Sequence, residues 1–288
     1  MENEKIKTYD VPRTLYFSSQ RVKLSGNYLE LSRYGKDRMI GSPYIRRKHD
    51  DENEENKKEP EKLTAEEIRK KTARRARNTI ADTIRCNAWQ WHQRNGQAYL
   101  PIFITFTFAE NITELTLAHK EFTKFIKRLS YEHWGQNVNT LKYLAVVEFQ
   151  ERGAIHYHVV FFNLPFMDRI YDKILAIWGN GFTWVESVKS ERGIIRYMSK
   201  YLTKSIEKGR LPSRKSYFVS KGLKKPLVHS FDEVVNVVRA LTPEEAKFDH
   251  FEYDHFWLHQ VIVDSYDLKK YPKIKEQIEA KILKKYEL

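Results

Sequence analysis

The chain has 288 residues and carries 51 Lys and Arg against 38 Asp and Glu, so its formal net charge is +13. A hydrophobic content of 41%, with 16 Phe, 17 Tyr and 6 Trp, can furnish a sizeable core and excludes a wholly disordered or collagen-like chain. The single cysteine, Cys86, excludes an internal disulfide and a cysteine-based zinc site. The positive excess favours a polyanionic partner, because Lys and Arg that neutralise phosphates release counterions.

The sequence contains no signal for insertion into a membrane or for secretion. No apolar run reaches the roughly 18 residues that a membrane span needs. The acidic start, residues 1–5, is not followed by the apolar stretch of a secretory signal. We therefore expect a cytoplasmic protein with no membrane partner.

The first predicted elements are a small β-hairpin and a charged linker. Residues 15–32 alternate loosely around the turn signal Ser25-Gly26-Asn27, which favours a hairpin within an N-terminal region of residues 1–47. Residues 48–62 are a run of polar and charged residues with nothing apolar to bury, which is typical of a flexible, solvated linker.

A long amphipathic helix is predicted to follow the linker. Thr64 and Glu67 have the spacing of a capping box, and apolar residues recur at multiples of four as far as Ala88. The opposite face is strongly basic, which favours contact with DNA phosphates but no reading of sequence; an ordinary solvated helix face is the alternative. The basic residues are Arg69, Lys70, Lys71, Arg74, Arg75 and Arg77.

The next segments alternate between strand and helix patterns in the order β-α-β-β-α-β-α. This order predicts an α+β domain over residues 63–210, with an antiparallel central sheet and flanking helices packed on one face. Residues 211–288 are expected to form a mostly helical extension that binds DNA or a partner. The predicted segments of the domain are 99–108, 115–131, 141–149, 155–162, 167–178, 182–188 and 193–205.

Two histidines and a carboxylate are predicted to converge on one hairpin. His156 and His158 project from the same face of a strand, because side chains alternate. If Phe149 pairs with Ile155, Glu148 lies directly opposite His156 on that face. Two nitrogens and one oxygen suit a divalent metal ion, Mn²⁺ or Mg²⁺, that also binds a substrate phosphate. A pair of hydrogen-bonded core histidines is the alternative interpretation.

The last predicted helix of the domain carries a repeated pattern of tyrosine and lysine. Tyr197 and Tyr201 lie one turn apart on one helix face, with Lys200 and Lys204 beside them. A phenol can attack a phosphodiester whose oxygens a metal ion polarises, and a lysine can bind the phosphate or share the phenolic proton. Tyrosines packed against the sheet with solvated lysines are the alternative.

Three motifs in this order resemble the HUH endonucleases of rolling-circle replication initiators, especially the Rep proteins of Gram-positive plasmids and integrative elements. The motifs are the strand of residues 103–111, the His-x-His segment of residues 153–158, and the Tyr/Lys helix of residues 197–204. The resemblance covers roughly residues 74–205 and extends to residues 220–226, an element of unclear role. It implies a ferredoxin- or RRM-like arrangement of the central sheet.

The resemblance implies an enzyme that nicks one strand at a replication origin and rejoins strands at termination. A tyrosine becomes linked to the 5′ phosphate, and a 3′ hydroxyl remains as primer. His156, His158 and Glu148 are implied as metal ligands. Tyr197 and Tyr201 match the two-tyrosine branch, in which one phenol opens the strand and the other acts when the circle closes.

Partners follow from the same resemblance. The implied substrates are single-stranded DNA and origin duplex DNA. The sequence has no P-loop motif, so a host helicase would unwind the duplex and a host polymerase would extend the primer. The replicon could be a plasmid, a phage or an integrative element, and a homo-oligomer is left open.

Other functions are compatible with these motifs. An HUH transposase or a mobilisation relaxase would share the site and differ in the DNA that it joins. A histidine-based phosphohydrolase would not need the Tyr/Lys helix. A non-catalytic single-stranded DNA-binding protein would use Tyr197 and Tyr201 as stacking platforms and would not need Glu148 opposite His156.

Overall fold

The computed structural model describes residues 16–40, 64–134, 140–165, 167–207 and 216–284. It divides into two compact units, one within Glu61–Pro226 and one that combines Met1–Pro60 with Leu227–Leu288. Each unit has an antiparallel five-stranded sheet and helices, which confirms the predicted α+β class. The predicted linker, residues 48–62, lies outside the described residues.

The elements follow the predicted order as far as the Tyr/Lys helix and continue with further strands. In chain order they are β1 (Tyr16–Ser25), β2 (Tyr28–Ile40), α1 (Ala65–Asn87), β3 (Ile102–Thr107), α2 (Leu115–Trp134), β4 (Tyr143–Phe149), β5 (Ile155–Phe161), α3 (Ile170–Trp178), β6 (Thr183–Ser187), α4 (Glu191–Glu207), β7 (Tyr217–Val219), β8 (Leu227–His229), α5 (Asp232–Leu241), β9 (Lys247–His255), β10 (His259–Asp267) and α6 (Pro272–Leu283).

The sheet of the larger unit has the strand order β6-β3-β5-β4-β7, and all its pairs are antiparallel. One face packs against α2 and α3, where Phe106 and Tyr157 meet Phe122 and Trp178. The other face packs against α1 and α4, which contribute apolar side chains such as Ile80, Ile84, Met198 and Leu202.

The expectation that helices pack on one face of this sheet is wrong. Every residue of β5 and all but the first residue of β4 are buried, so both faces of these strands are covered. The physical reason is in the sequence Ile155-His-Tyr-His-Val-Val-Phe161, which places apolar or aromatic side chains on both faces of the strand.

Helix α1 begins at the predicted capping box. The Thr64 hydroxyl accepts from the backbone N–H of Glu67, and the Glu67 carboxylate accepts from the backbone N–H of Thr64 at 2.8 Å. These bonds satisfy amides that a helix N-terminus otherwise leaves unpaired. The buried stripe of α1, which includes Ala76, Ile80 and Ile84, packs against the sheet.

The smaller unit combines the N-terminal hairpin with the end of the chain. Its sheet has the order β8-β1-β2-β10-β9, so both hairpin strands pair with strands that follow residue 226. Helices α5 and α6 complete its core, in which Leu29 and Leu31 of β2 pack with Val234 and Ile278. The long strands β9 and β10 are an addition to the helical extension expected there. In the part of the chain that the structure describes, no helix has the length and apolar character of a membrane span.

Gly181 joins the turn before β6 to the end of β3 and tolerates no side chain. Its φ is +146°, and a Cβ placed there would overlap the Ala109 nitrogen and the Thr107 carbonyl oxygen. We expect Gly181→Ala to lower the free energy of unfolding by about 3 kcal/mol, measured by urea denaturation, because both strain and overlap oppose the Cβ. Gly96, at φ +83° with nothing within 4 Å of its Cβ position, is the control. If Gly96→Ala costs as much as Gly181→Ala, the close approach of the turn to β3 is refuted.

Candidate active site

The hairpin β4–β5 places the three predicted metal-ligating side chains together. Glu148 lies directly opposite His156 and Phe149 opposite Ile155, which confirms the predicted register. The loop closes with a hydrogen bond from the Gln150 N–H to the Ala154 carbonyl. Glu148, His156 and His158 are buried, with exposed fractions of 4%, 7% and 3%. They lie on the face of the sheet that α4 covers.

Glu148 is the centre of a hydrogen-bond network that joins two strands to α4. His158 Nε2 donates to Glu148 Oε2 at 2.8 Å, and Lys204 Nζ donates to Glu148 Oε1. Burial acts to raise the pKa of Glu148, but the hydrogen bonds from His158 and Lys204 outweigh it and lower this pKa to about 2. Glu148 is therefore an ionised carboxylate with both oxygens engaged.

The two histidines have different surroundings. Because the carboxylate can only accept, His158 Nε2 carries a proton, and its Nδ1 lies 3.1 Å from the Thr105 hydroxyl, which donates to it. Burial lowers the pKa of both rings, that of His156 to about 4. His156 Nε2 is buried and has no hydrogen-bond partner within the described ranges. His156 is thus a neutral ring with a ligating nitrogen available.

The two tyrosines of α4 lie against His158. The Tyr201 ring stacks on the His158 ring, with centroids 3.6 Å apart and an interplanar angle of 19°. The Tyr201 hydroxyl donates to the Tyr197 hydroxyl at 2.8 Å. The pKa of Tyr201 is raised, first by burial and then by this hydrogen bond. The Tyr197 ring meets Phe103 of β3 edge-on, at 4.9 Å between centroids.

Tyr197 is the tyrosine that opens onto a cavity. A cavity of about 210 Å³ lies between β6 and the N-terminal half of α4, and its lining includes Tyr197, Phe103, Glu186 and Lys189. Tyr201 does not line this cavity. A phosphodiester approaching from the side of β6 would therefore meet the Tyr197 hydroxyl first.

The residues present fit a divalent metal ion in their chemistry. Two imidazoles and one carboxylate share a face, and the unpartnered His156 Nε2 is a buried polar atom that a cation would satisfy. Among the residues that the structure describes, no group of three His, Cys, Asp or Glu side chains is already arranged as a metal site. Binding would replace the hydrogen bonds that Glu148 now makes to His158 and Lys204.

The remaining predicted site residues lie at two places. Lys200 Nζ is 6.0 Å from the centroid of the Tyr201 ring. The basic residues of α1 are all exposed, and Lys70 forms an ion pair with Glu66 at 2.7 Å. Within the described ranges no hydrogen bond or ion pair links these α1 residues to the hairpin site. The structure thus brings together the tyrosines, histidines, Glu148 and Lys204, and leaves the α1 cluster at a surface of its own.

Thr105 is a site residue that was not predicted from the sequence. It lies opposite His158 in the β3–β5 pair and holds His158 Nδ1. Gln150 plays a similar part, with its Nε2 3.4 Å from His156 Nδ1. The alternation Thr105-Phe106-Thr107 in a strand was the available signal, since it places two hydroxyls on the face opposite the Phe106 core.

Comparison with known proteins gives one family. Residues 101–206 match the family of replication-associated proteins of the ORF2 type. The matched segment is somewhat more than a third of the chain and runs from β3 to the end of α4. It contains Glu148, both histidines and both tyrosines, so the replication-associated segment is also the segment that forms the site. No match was found among curated proteins or among solved structures.

Glu148 is expected to be essential for the stability of this unit. Glu148→Ala would leave the His158 donor and the Lys204 ammonium without their acceptor, and we expect it to lower the free energy of unfolding by about 3 kcal/mol in urea denaturation. The exposed Glu132 of α2 is the control, and Glu132→Ala should change stability by less than about 0.5 kcal/mol. Equal effects of the two substitutions would contradict the central place of Glu148.

Proposed function

We propose that the chain is a rolling-circle replication initiator that nicks one DNA strand at an origin by tyrosine transesterification. The observation that carries the proposal is the stacking of the Tyr201–Tyr197 pair on His158, in the segment that matches replication-associated proteins. A pair of core histidines would explain their burial. It would not explain two hydrogen-bonded phenols beside a buried, unpartnered imidazole nitrogen at an open cavity.

The proposed reaction exchanges one phosphoester bond for another. The Tyr197 phenolic oxygen attacks the scissile phosphorus, and the bond from phosphorus to the 3′ oxygen breaks. The phenolic proton is released as the new bond forms, and the departing 3′ oxygen takes up a proton to become the primer hydroxyl. The product is a 5′-phosphotyrosine, which conserves the phosphoester and can be resolved by a second transesterification.

His156, His158 and Glu148 are the proposed ligands of a divalent cation, Mn²⁺ or Mg²⁺. When bound, such an ion polarises the phosphate oxygens and stabilises the negative charge of the transition state. Thr105 then fixes the orientation of the His158 ring, as hydrogen-bond partners of ligating histidines do. Lys204 is placed to neutralise Glu148 before the cation binds.

Tyr197 is the proposed first nucleophile and Tyr201 its partner. Tyr197 lines the cavity, whereas the Tyr201 ring is covered by its stack on His158 and its hydroxyl is committed to Tyr197. The donated hydrogen bond also orients the Tyr197 oxygen. Tyr201 would act in the second transesterification, after the first phosphotyrosine has formed, when the strand is rejoined. Lys200, next to the Tyr201 ring, is placed to bind phosphate.

The tyrosines are expected to differ in the formation of a covalent protein–DNA adduct. We would incubate the protein with Mn²⁺ and labelled single-stranded oligonucleotides that tile the DNA molecule carrying its gene, and separate the products on denaturing gels. Wild type should form an adduct. Tyr201→Phe should retain it at a reduced rate, because Tyr197 loses one hydrogen bond, and Tyr197→Phe should abolish it on first cleavage.

The same gels separate the alternatives. His156→Ala should bind the strand and form no adduct, because the metal site lacks a ligand. Binding by wild type without any adduct on every tiled strand would contradict the nickase and leave a non-catalytic single-stranded DNA-binding protein. An adduct that joins two different DNA molecules more readily than it recloses one would favour a transposase or a relaxase.

The exposed basic face of α1 is the proposed contact with the DNA backbone. In a variant with Arg74, Arg75 and Arg77 changed to Gln, we expect a shallower slope of log Kd against log salt for duplex DNA. The slope should fall by about 0.9 for each phosphate that these side chains neutralise in wild type. The control changes Lys120, Lys124 and Lys127 of α2, which are exposed on the other side of the sheet, to Gln. The same change of slope in both variants would show only a general charge effect and exclude α1 as the contact.

A further inference from the structure

The edge strand β6 carries two large aromatic side chains in water. Phe182, which directly precedes β6, is 69% exposed, and Trp184 is 66% exposed. Between them, Thr183 is buried on the opposite face, so Phe182 and Trp184 project to the same side. Neither is absorbed by the core or by the site described above. Adjacent exposed rings of this size are a feature of binding surfaces.

These two rings are in line with the two histidines across the sheet. Trp184 lies opposite Thr105, which lies opposite His158. The Phe182 carbonyl accepts a backbone hydrogen bond from Thr107 at 2.9 Å, and Thr107 lies opposite His156. Each aromatic residue is therefore two strands from a histidine, a distance of about 10 Å. Both rings lie on the face that carries Glu148 and the histidines.

Helix α4 covers only part of this face. Its apolar residues pack with Leu144 and Val146 of β4, and its tyrosines reach as far as Phe103 of β3. Beyond β3 the face is open, and the cavity at Tyr197 leads toward β6 through Glu186, the next residue after Trp184 on the same side of the strand. The open part of the face is thus continuous with the proposed nucleophile.

We propose that Phe182 and Trp184 form a stacking platform for unpaired bases of single-stranded DNA next to the scissile phosphate. The inference rests on the proposed function, because it names the groups that position the substrate of the same site. Side chains two apart on a strand are separated by about 6.6 Å, about twice the 3.4 Å between stacked bases along one strand of duplex DNA. Two neighbouring bases can therefore occupy the two rings only in an extended single strand.

The charge around the platform fits this occupant. Arg192, Arg196 and Lys200 are exposed and recur every four residues along α4, so they form one stripe next to the tyrosines. Lys189 adds a further cation at the cavity. A strand whose bases lie on β6 can run its phosphates along this stripe, the combination of aromatic rings and a cationic track that is typical of single-strand binding.

The test is direct binding, without metal and without cleavage. Fluorescence anisotropy of labelled oligo(dT) would be measured for wild type, Trp184→Ala, Trp184→Phe and the double variant Phe182→Ala/Trp184→Ala. We expect Trp184→Ala to weaken binding about 10-fold, Trp184→Phe to retain most of it, and the double variant to weaken it further. Trp257→Ala is the matched control, since Trp257 is 68% exposed and belongs to the smaller unit.

Each outcome decides for or against the platform. Wild-type affinity for oligo(dT) in the double variant would overturn the proposal. So would an equal loss in Trp257→Ala, which would indicate a general effect of exposed tryptophans. A double variant that binds oligo(dT) normally but changes its oligomeric state in light scattering would show that β6 is a protein contact instead.

A separate measurement distinguishes failure of the platform from failure of the nickase. If wild type forms no covalent adduct but loses oligo(dT) binding in Trp184→Ala, the platform stands and the nickase fails. If wild type forms the adduct and the double variant binds oligo(dT) and forms the adduct as well as wild type, the nickase stands and the platform fails. Thermal unfolding of each variant confirms that the exposed substitutions leave the fold intact.

Discussion

One buried carboxylate holds together the elements on which the site depends. Glu148 of β4 accepts hydrogen bonds from His158 of β5 and from Lys204 of α4. A buried carboxylate without partners would cost several kcal/mol, so these two bonds strongly favour one placement of α4 on the sheet. That placement puts the Tyr201 ring on His158 and the Tyr197 hydroxyl at the cavity. The position of the nucleophile is thus a consequence of how one charge is satisfied.

The functional face of the larger unit changes from dry to wet within a few strands. At β4 and β5 it is sealed by α1 and α4, which keeps the histidines neutral and one imidazole nitrogen unpaired. At β6 it is open and carries exposed rings. Tyr197 lies at the boundary, where a phenol can reach solvent-borne DNA while its partner tyrosine remains packed. Chemistry that needs a desolvated metal site and a polymeric substrate requires such a boundary.

The local geometry of the site could be predicted from the sequence, and its assembly could not. A five-residue loop between two strands allows the register that puts Glu148 opposite His156, and helical spacing places Tyr197 next to Tyr201. The Lys204–Glu148 bond joins residues 56 apart, and no periodicity indicates which helix covers which strand. The pairing of β2 with β10 likewise joins distant segments, and a strand buried on both faces lacks the alternation that would reveal its second layer of helices.

Locating the DNA-linked residue by mass spectrometry would test the proposed site most directly. Trypsin cleaves after Arg196, Lys200 and Lys204, so Tyr197 and Tyr201 fall on separate peptides. After one round of cleavage with Mn²⁺, nuclease digestion and trypsin, we expect a nucleotide remnant on the peptide of residues 197–200. A remnant on residues 201–204 would reverse the order of the tyrosines. A remnant elsewhere in the chain, or no remnant on a strand that the protein binds and cuts, would contradict a tyrosine nucleophile on α4.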